Sequence, residues 1–224
     1  MNIKFLIQTK FDWPEIINAS ISSFKNEFIL KGYEFELLNI KNSNSSFVDT
    51  LIEYCQKNNL THIGCIFDDL IFSKINIPHH NELSSFNKNS EINYIRFDGR
   101  PKGSKENTFN LSDIPFGLIK NRKYFFSTVM GVFSLKLLEK IKEYGATSAW
   151  DIEEIDIEKF NNKYQMCNLK ASSFAPIIRT SYYENLIIKG KPNIFYLLKF
   201  GFTMSVSGSA IKIIKYKLSN LFQK

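Results

Sequence analysis

Thr61-His62-Ile63-Gly64-Cys65-Ile66-Phe67-Asp68-Asp69 is a short apolar run that ends in two adjacent carboxylates. A buried strand ending in acids places oxygen ligands at the edge of an α/β sheet, where the crevice at strand carboxyl ends commonly receives ligands. Such oxygens suit a hard divalent cation, Mg²⁺ or Mn²⁺, typically held by one or two carboxylates together with the phosphates of a substrate. Asp68 and Asp69 are therefore candidate metal ligands beside a nucleoside diphosphate. Acidic pairs after strands also cap the next helix or occupy a turn, and the dipeptide alone is compatible with that use too.

The surrounding chain alternates strands and helices. Ile3 to Gln8 reads as a strand, Trp13-Pro14-Glu15 opens a helix to about Leu30, Glu34 to Ile40 is a strand, and Phe47 to Asn58 is a helix. That order predicts a parallel sheet. Ile17, Ile21, Phe24 and Phe28 recur at helical spacing and should pack on it. Asn76 to Ser90 is polar and reads as a loop holding His79 and His80, which cannot both face one metal from a regular helix. Ile92 to Phe97 forms a further strand, followed by Asp98-Gly99-Arg100-Pro101-Lys102-Gly103-Ser104-Lys105. A basic, glycine-bearing loop can cradle phosphate, but this one lacks P-loop spacing and reads as a solvated turn.

A chain of 224 residues, 44% of them apolar, can bury one core, or one core with an appendage. Cys55, Cys65 and Cys167 form no CxxC pair, so neither a disulfide framework nor a zinc cluster is expected, and the compartment reads as reducing. The apolar stretch at the amino terminus is too short for a signal peptide or a membrane span. The formal charge of +7 is uneven: Lys189, Lys191, Lys199, Lys212, Lys215, Lys217 and Lys224 follow the last acid, Glu184, and account for the whole excess. A basic tail on a neutral globule points to a local anionic partner, membrane lipid or nucleic acid. Ile211, Ile214, Leu218, Leu221 and Phe222 fall along one side of a helix flanked by lysines, an interfacial pattern.

Leu135 to Tyr144 reads as an amphipathic helix ended by Gly145, followed by Ala146-Thr147-Ser148-Ala149-Trp150-Asp151-Ile152-Glu153-Glu154. An indole beside carboxylates can stack on a pyranose while a carboxylate takes the proton of an attacking hydroxyl. A buried Trp followed by a charged helical turn would give the same residues.

Taken in order, Asp68-Asp69, Tyr94-Ile95-Arg96-Phe97 and Ser148-Ala149-Trp150-Asp151-Ile152-Glu153 resemble the DD strand end, YxRL and S-x-W-x-x-E pattern of bacterial glycosyltransferases that build capsular and lipopolysaccharide chains. Gln8-Thr9-Lys10 through Trp13-Pro14 and Glu184 to Lys191 extend the resemblance over roughly the first 190 residues. It implies an α/β fold of the GT-A type, a Rossmann-like sandwich with a mostly parallel central sheet over residues 1–191, and leaves 192–224 as a basic amphipathic helical tail. It further implies Asp68 and Asp69 as metal and diphosphate ligands, Thr9 and Lys189 as donor contacts, Arg96 either as a donor phosphate contact or as the residue that holds the sheet edge to the loop, Trp150 as the acceptor platform, and Glu153, then Asp151, as general base. The expected cofactor is Mn²⁺ or Mg²⁺. The expected partners are a nucleotide-sugar donor, a glycan acceptor that can be lipid-linked, and an anionic membrane surface met by the tail at the cytoplasmic face, with no nucleic acid. Phe97 replaces the usual Leu, Phe67 stands where some relatives carry a third Asp, and Asp151 and Glu154 crowd Glu153. The alternative is a non-enzymatic membrane- or nucleic-acid-associated module built on the tail.

Overall fold

The computed structural model describes residues 3–9, 14–39, 45–89, 91–100, 102–120, 124–164, 169, 172–188, 191–193, 202–207 and 210–215. The elements in chain order are β1 (Ile3–Thr9), α1 (Pro14–Leu30), β2 (Glu34–Asn39), α2 (Phe47–Lys57), β3 (His62–Phe67), β4 (Leu70–Lys74), α3 (His80–Asn89), β5 (Tyr94–Arg96), β6 (Phe109–Leu111), β7 (Ile114–Leu118), β8 (Gly131–Ser134), α4 (Leu135–Tyr144), α5 (Ala149–Glu153), α6 (Ile157–Tyr164), β9 (Ser173–Pro176), β10 (Tyr182–Asn185), β11 (Ile187–Ile188), β12 (Lys191–Pro192), β13 (Phe202–Ser207) and β14 (Ala210–Lys215).

Eight strands form one sheet in the order β2-β1-β3-β8-β5-β9-β7-β6. β1 runs parallel to β2 and β3, and β5 parallel to β9, whereas β8 opposes β3 and β5 and β7 opposes β9 and β6. Only β7 and β8 run against the common direction, so the sheet is mostly parallel, as the alternating pattern predicts. β7 turns back on β6 through Ser112-Asp113, both at positive φ (50° and 62°), which is hairpin geometry and needs no crossover helix.

Alternation along the strands sends side chains into two cores. Leu6, Ile63 and Cys65 join residues of α2, α4, α5 and α6 on one face. Phe5, Ile7 and Ile66 join Phe24 and Phe28 of α1 and Leu83 of α3 on the other. Each fully buried Phe contributes roughly 1.5–3 kcal/mol relative to exposure, so these clusters dominate cohesion. At β3, Gly64 faces its register partner Phe5, whose ring would lie 2.3 Å from an added Cβ. Helix ends follow the local sequence: the Ser46 and Ser134 hydroxyls accept from Asp49 N–H (3.1 Å) and Leu137 N–H (3.2 Å), and Gly145 closes α4 at φ 104°.

Two expectations are corrected. Residues 80–89 form α3 rather than a loop, because Leu83 and the partly buried Phe86 supply enough apolar contact to hold a polar helix against the sheet. The His80 ring meets Tyr33 edge-on with centroids 5.5 Å apart, while His79 Nε2 faces Lys31 Nζ at 3.5 Å, so the two histidines serve different neighbours. In the tail, β13 and β14 pair antiparallel from Phe202↔Lys215 to Ser207↔Ala210, where a helix is expected. Ile211, Ile213 and Ile214 are β-branched and favour a strand. Leu218, Leu221, Phe222 and Cys167 lie outside the described residues. Cys55 and Cys65 are buried free thiols, and no helix among the described residues is long and apolar enough to cross a membrane.

His62 at the start of β3 is buried and bonds through Nε2 to Ile92 O (2.8 Å), and burial pulls its pKa down to about 4. The unfolded chain therefore binds a proton that the folded one does not between about pH 6.5 and 4, so stability falls as pH drops through that window. Chemical denaturation should show a loss of up to roughly 3 kcal/mol from this group, and His62→Gln should flatten the slope.

Candidate functional site

Strand register gathers four segments at one sheet edge. β3 runs directly into the Asp68-Asp69 turn, and Thr9 ends β1 one position beyond the Gln8↔Phe67 pair. Arg96 ends β5 opposite Gly131, the first residue of β8. Because β8 runs antiparallel between β3 and β5, its beginning lies beside their ends: Met130 N–H donates to Cys65 O (3.0 Å), and Phe97 N–H to Met130 O (3.1 Å). The edge at the carboxyl ends of parallel strands is where α/β sheets bind ligands.

Asp68 is buried and Asp69 half-buried, and desolvation pushes the Asp69 carboxyl up to about 6. The acids do not cap a helix; they occupy the turn into β4. β10 comes back from far along the chain to pair with β4 (Asn185↔Leu70, Glu184↔Ile71), and Leu186 N–H donates to Asp69 O at 2.6 Å. Lys189 lies outside the described residues. Among the described residues no cluster of three or more His, Cys, Asp or Glu side chains forms a metal cage. Two carboxylates, both shielded from solvent, fit a hard cation shared with substrate phosphates, which also offsets the desolvation of Asp69.

Glu153, at the end of α5, is tied to the segment before β8. Its Oε1 accepts from Thr128 N–H (2.9 Å), Thr128 Oγ1 (2.9 Å) and Ser127 Oγ (3.4 Å). That segment is held from below by Tyr94, whose hydroxyl donates to Ser127 O (3.0 Å) and accepts from Ser127 N–H (2.8 Å) and Arg96 Nε (3.2 Å). Arg96 Nη2 donates to Tyr124 O (3.2 Å) and Phe125 O (2.7 Å). Arg96 is 0% exposed and bonds carbonyls of its own chain, the geometry of a residue that holds the sheet edge to the loop, the second of the two roles expected for it. Asp98, equally buried, interacts electrostatically with Arg96 and accepts from Arg100 N–H (3.2 Å) and Tyr183 OH (3.1 Å), while burial raises its pKa.

Trp150 is 72% exposed on the same short helix, one turn from Glu153. The buried-Trp reading is thereby corrected: the indole faces solvent at the site. Asp151 is committed to a capping box, accepting at Oδ2 from Ser148 N–H (2.8 Å), Thr147 N–H (2.9 Å) and Thr147 Oγ1 (3.0 Å), while Ser148 Oγ accepts from Asp151 N–H. These amides pull its carboxyl below the usual range, which makes it a poor base. The Gly103 and Ser104 amides are spent on Pro176 O (2.9 Å) and Leu118 O (2.8 Å), so they are not available to a phosphate.

Ser127, Thr128 and Asp98 are site residues that the sequence reading leaves out. The sequence carries at most the glycine at 131, whose need appears only in the structure, where an added Cβ would sit 2.1 Å from the Ser127 carbonyl. Asp151→Ala should cost about 0.5–2 kcal/mol of stability, the usual value of a lost cap, whereas Trp150→Ala should stay within about 0.5 kcal/mol in the same thermal denaturation series.

No protein-family model and no curated protein matches the sequence. Among solved structures the chain is similar to a glycosyltransferase involved in glycosylation of the major capsid of PBCV-1, at 12% identity and TM-score 0.42, covering 78% of this chain and 81% of that one. It is also similar to a Drosophila β1,4-galactosyltransferase 7 in complex with manganese, UDP-Gal and xylobiose, at 11% identity and TM-score 0.44 (84% and 72%). A cytidylyltransferase from Leptospira borgpetersenii matches at 14% identity and TM-score 0.36 (80% and 78%).

Proposed function

We propose that this protein is a glycosyltransferase that moves a sugar from a nucleoside diphosphate sugar to a hydroxyl of a bacterial surface glycan, capsule or lipopolysaccharide. The observation that supports this reading best is the convergence at one sheet edge of the Asp68-Asp69 turn and the 127–130 segment that holds Glu153. Asp69, with Asp68 beside it, is the group that would hold Mn²⁺ or Mg²⁺, and the ion when bound supplies charge neutralisation for the departing diphosphate. Among the described residues the hydrogen bonds to Glu153 end on Oε1, and Oε2 is the atom proposed to take the proton of the acceptor hydroxyl. The exposed face of Trp150 offers a pyranose an apolar platform one helical turn away. Thr9 and Lys189 are proposed as donor contacts, Thr9 from its place at the same edge. Asp151 is set aside as base because its carboxylate caps α5.

The lysine-rich tail is proposed to dock at the inner face of the cytoplasmic membrane, where a lipid-linked acceptor would be met. Each lysine near the surface adds on the order of 1 kcal/mol of attraction to anionic lipid. Flotation with liposomes of graded anionic content should carry the full chain and not a form truncated after Lys191; equal flotation of both removes the docking claim and leaves the transfer chemistry in place.

The catalytic reading is tested by a donor screen with Mn²⁺, following nucleoside diphosphate release. Turnover should vanish with EDTA and in Asp69→Asn. Glu153→Gln should lower kcat by about 10²–10⁴ with donor binding preserved, and Trp150→Ala should chiefly raise the acceptor KM. No release from any donor, or variants as active as the wild type, would favour the non-enzymatic module instead.

A further inference from the structure

We infer that the Tyr94 hydroxyl, braced by Arg96, positions the catalytic base: it fixes the 124–130 segment, and that segment fixes Glu153. The inference rests on the glycosyltransferase reading and gives Arg96 a role in place of donor contact, with Tyr94 beside it. A phenol has one proton to donate and two lone pairs to receive, and all three capacities of Tyr94 are used, on Ser127 O, Ser127 N–H and Arg96 Nε. Its ring is enclosed by Phe126 and Phe133, with centroids 5.2 and 4.8 Å away, so the hydroxyl has one place to be.

The segment needs such a brace. Tyr124 and Met130 bracket it at φ 60° and 54°, left-handed values that cost a non-glycine residue free energy and persist only where the surroundings hold them. Arg96 holds the first end through the Tyr124 and Phe125 carbonyls, and the backbone bonds of Met130 to Cys65 and Phe97 hold the second. Between them, Ser127 and Thr128 present two hydroxyls and an amide to a single oxygen of Glu153. A base held from its own strand edge in this way is preorganised, and its misplacement would slow the chemical step rather than weaken donor binding. The same buried row continues through Asp98 to Tyr183, two residues before the Asn185 that pairs beside Asp69. Arg96 therefore stands between the two halves of the site.

The test is Tyr94→Phe, which deletes one oxygen and keeps the packed ring, with amide hydrogen exchange and steady-state kinetics measured on the full chain. Exchange at Ser127 and Thr128 should accelerate by about tenfold or more while Leu6 and Ile66 amides in β1 and β3 keep their rates. In parallel kcat should fall by about 10–100-fold with donor KM within about twofold. Arg96→Lys retains the charge but cannot reach both carbonyls at once and should give an intermediate result; it decides the matter by the same exchange readout should Tyr94→Phe not fold. Unchanged exchange at Thr128, or uniform acceleration that includes Leu6 and Ile66, overturns the inference. A wild-type protein that releases no nucleoside diphosphate, together with local acceleration in Tyr94→Phe, overturns the glycosyltransferase reading and the catalytic half of the inference while the brace itself stands.

Discussion

The antiparallel insertion of β8 between β3 and β5 is the constraint on which the rest of the site depends. A parallel strand there would begin at the far edge of the sheet. Because β8 opposes its neighbours, the segment that enters it is delivered to the edge where β3 ends in Asp68-Asp69 and β5 ends in Arg96. Gly131 permits the delivery, since any side chain there would collide with the Ser127 carbonyl. A choice of strand direction thus becomes a choice of which side chains can act together.

Burying a guanidinium is costly unless its donors are met. Arg96 meets part of that cost with the Tyr94 hydroxyl, two carbonyls and the nearby charge of Asp98, while its Nη1 is buried without a hydrogen bond among the described residues. The two carbonyls belong to the segment that leads into β8 and reaches the strand end from another part of the chain, so the charge is fully met only when that segment is in place. The same holds for Asp69, whose backbone is engaged by Leu186 from the far end of the sequence. Each half of the site therefore depends in part on tertiary contacts, which couples the integrity of the fold to the geometry of the proposed chemistry.

The first part of the fold is legible in the sequence because its signals are local. The spacing of Phe24 and Phe28 and the apolar run into Asp68 each act within one or two turns of chain. α3 escaped because its apolar face is little more than Leu83 and Phe86, and the β6–β7 hairpin because Ser112-Asp113 is not an obvious left-handed turn sequence. The tail reads as a helix from its period, and pairing of β-branched residues prevails over that period between Phe202 and Lys215 in the structure. In the site, Asp68-Asp69 and Trp150 with Glu153 stand out as residue types. The tasks of Asp151, Arg96 and Thr128 do not, since capping, burial and a bond across 25 positions arise only when distant elements meet.

The central claim is that the edge formed by the Asp68-Asp69 turn and the 127–131 segment receives a nucleoside diphosphate with a divalent ion. Paramagnetic broadening of backbone amide signals by substoichiometric Mn²⁺ in the presence of a nucleoside diphosphate measures this directly. Broadening should centre on residues 67–70, extend to 185–186 and 127–131, and fade in Asp69→Asn. Broadening centred on the β13–β14 hairpin, or spread over surface carboxylates regardless of the nucleotide, would contradict it.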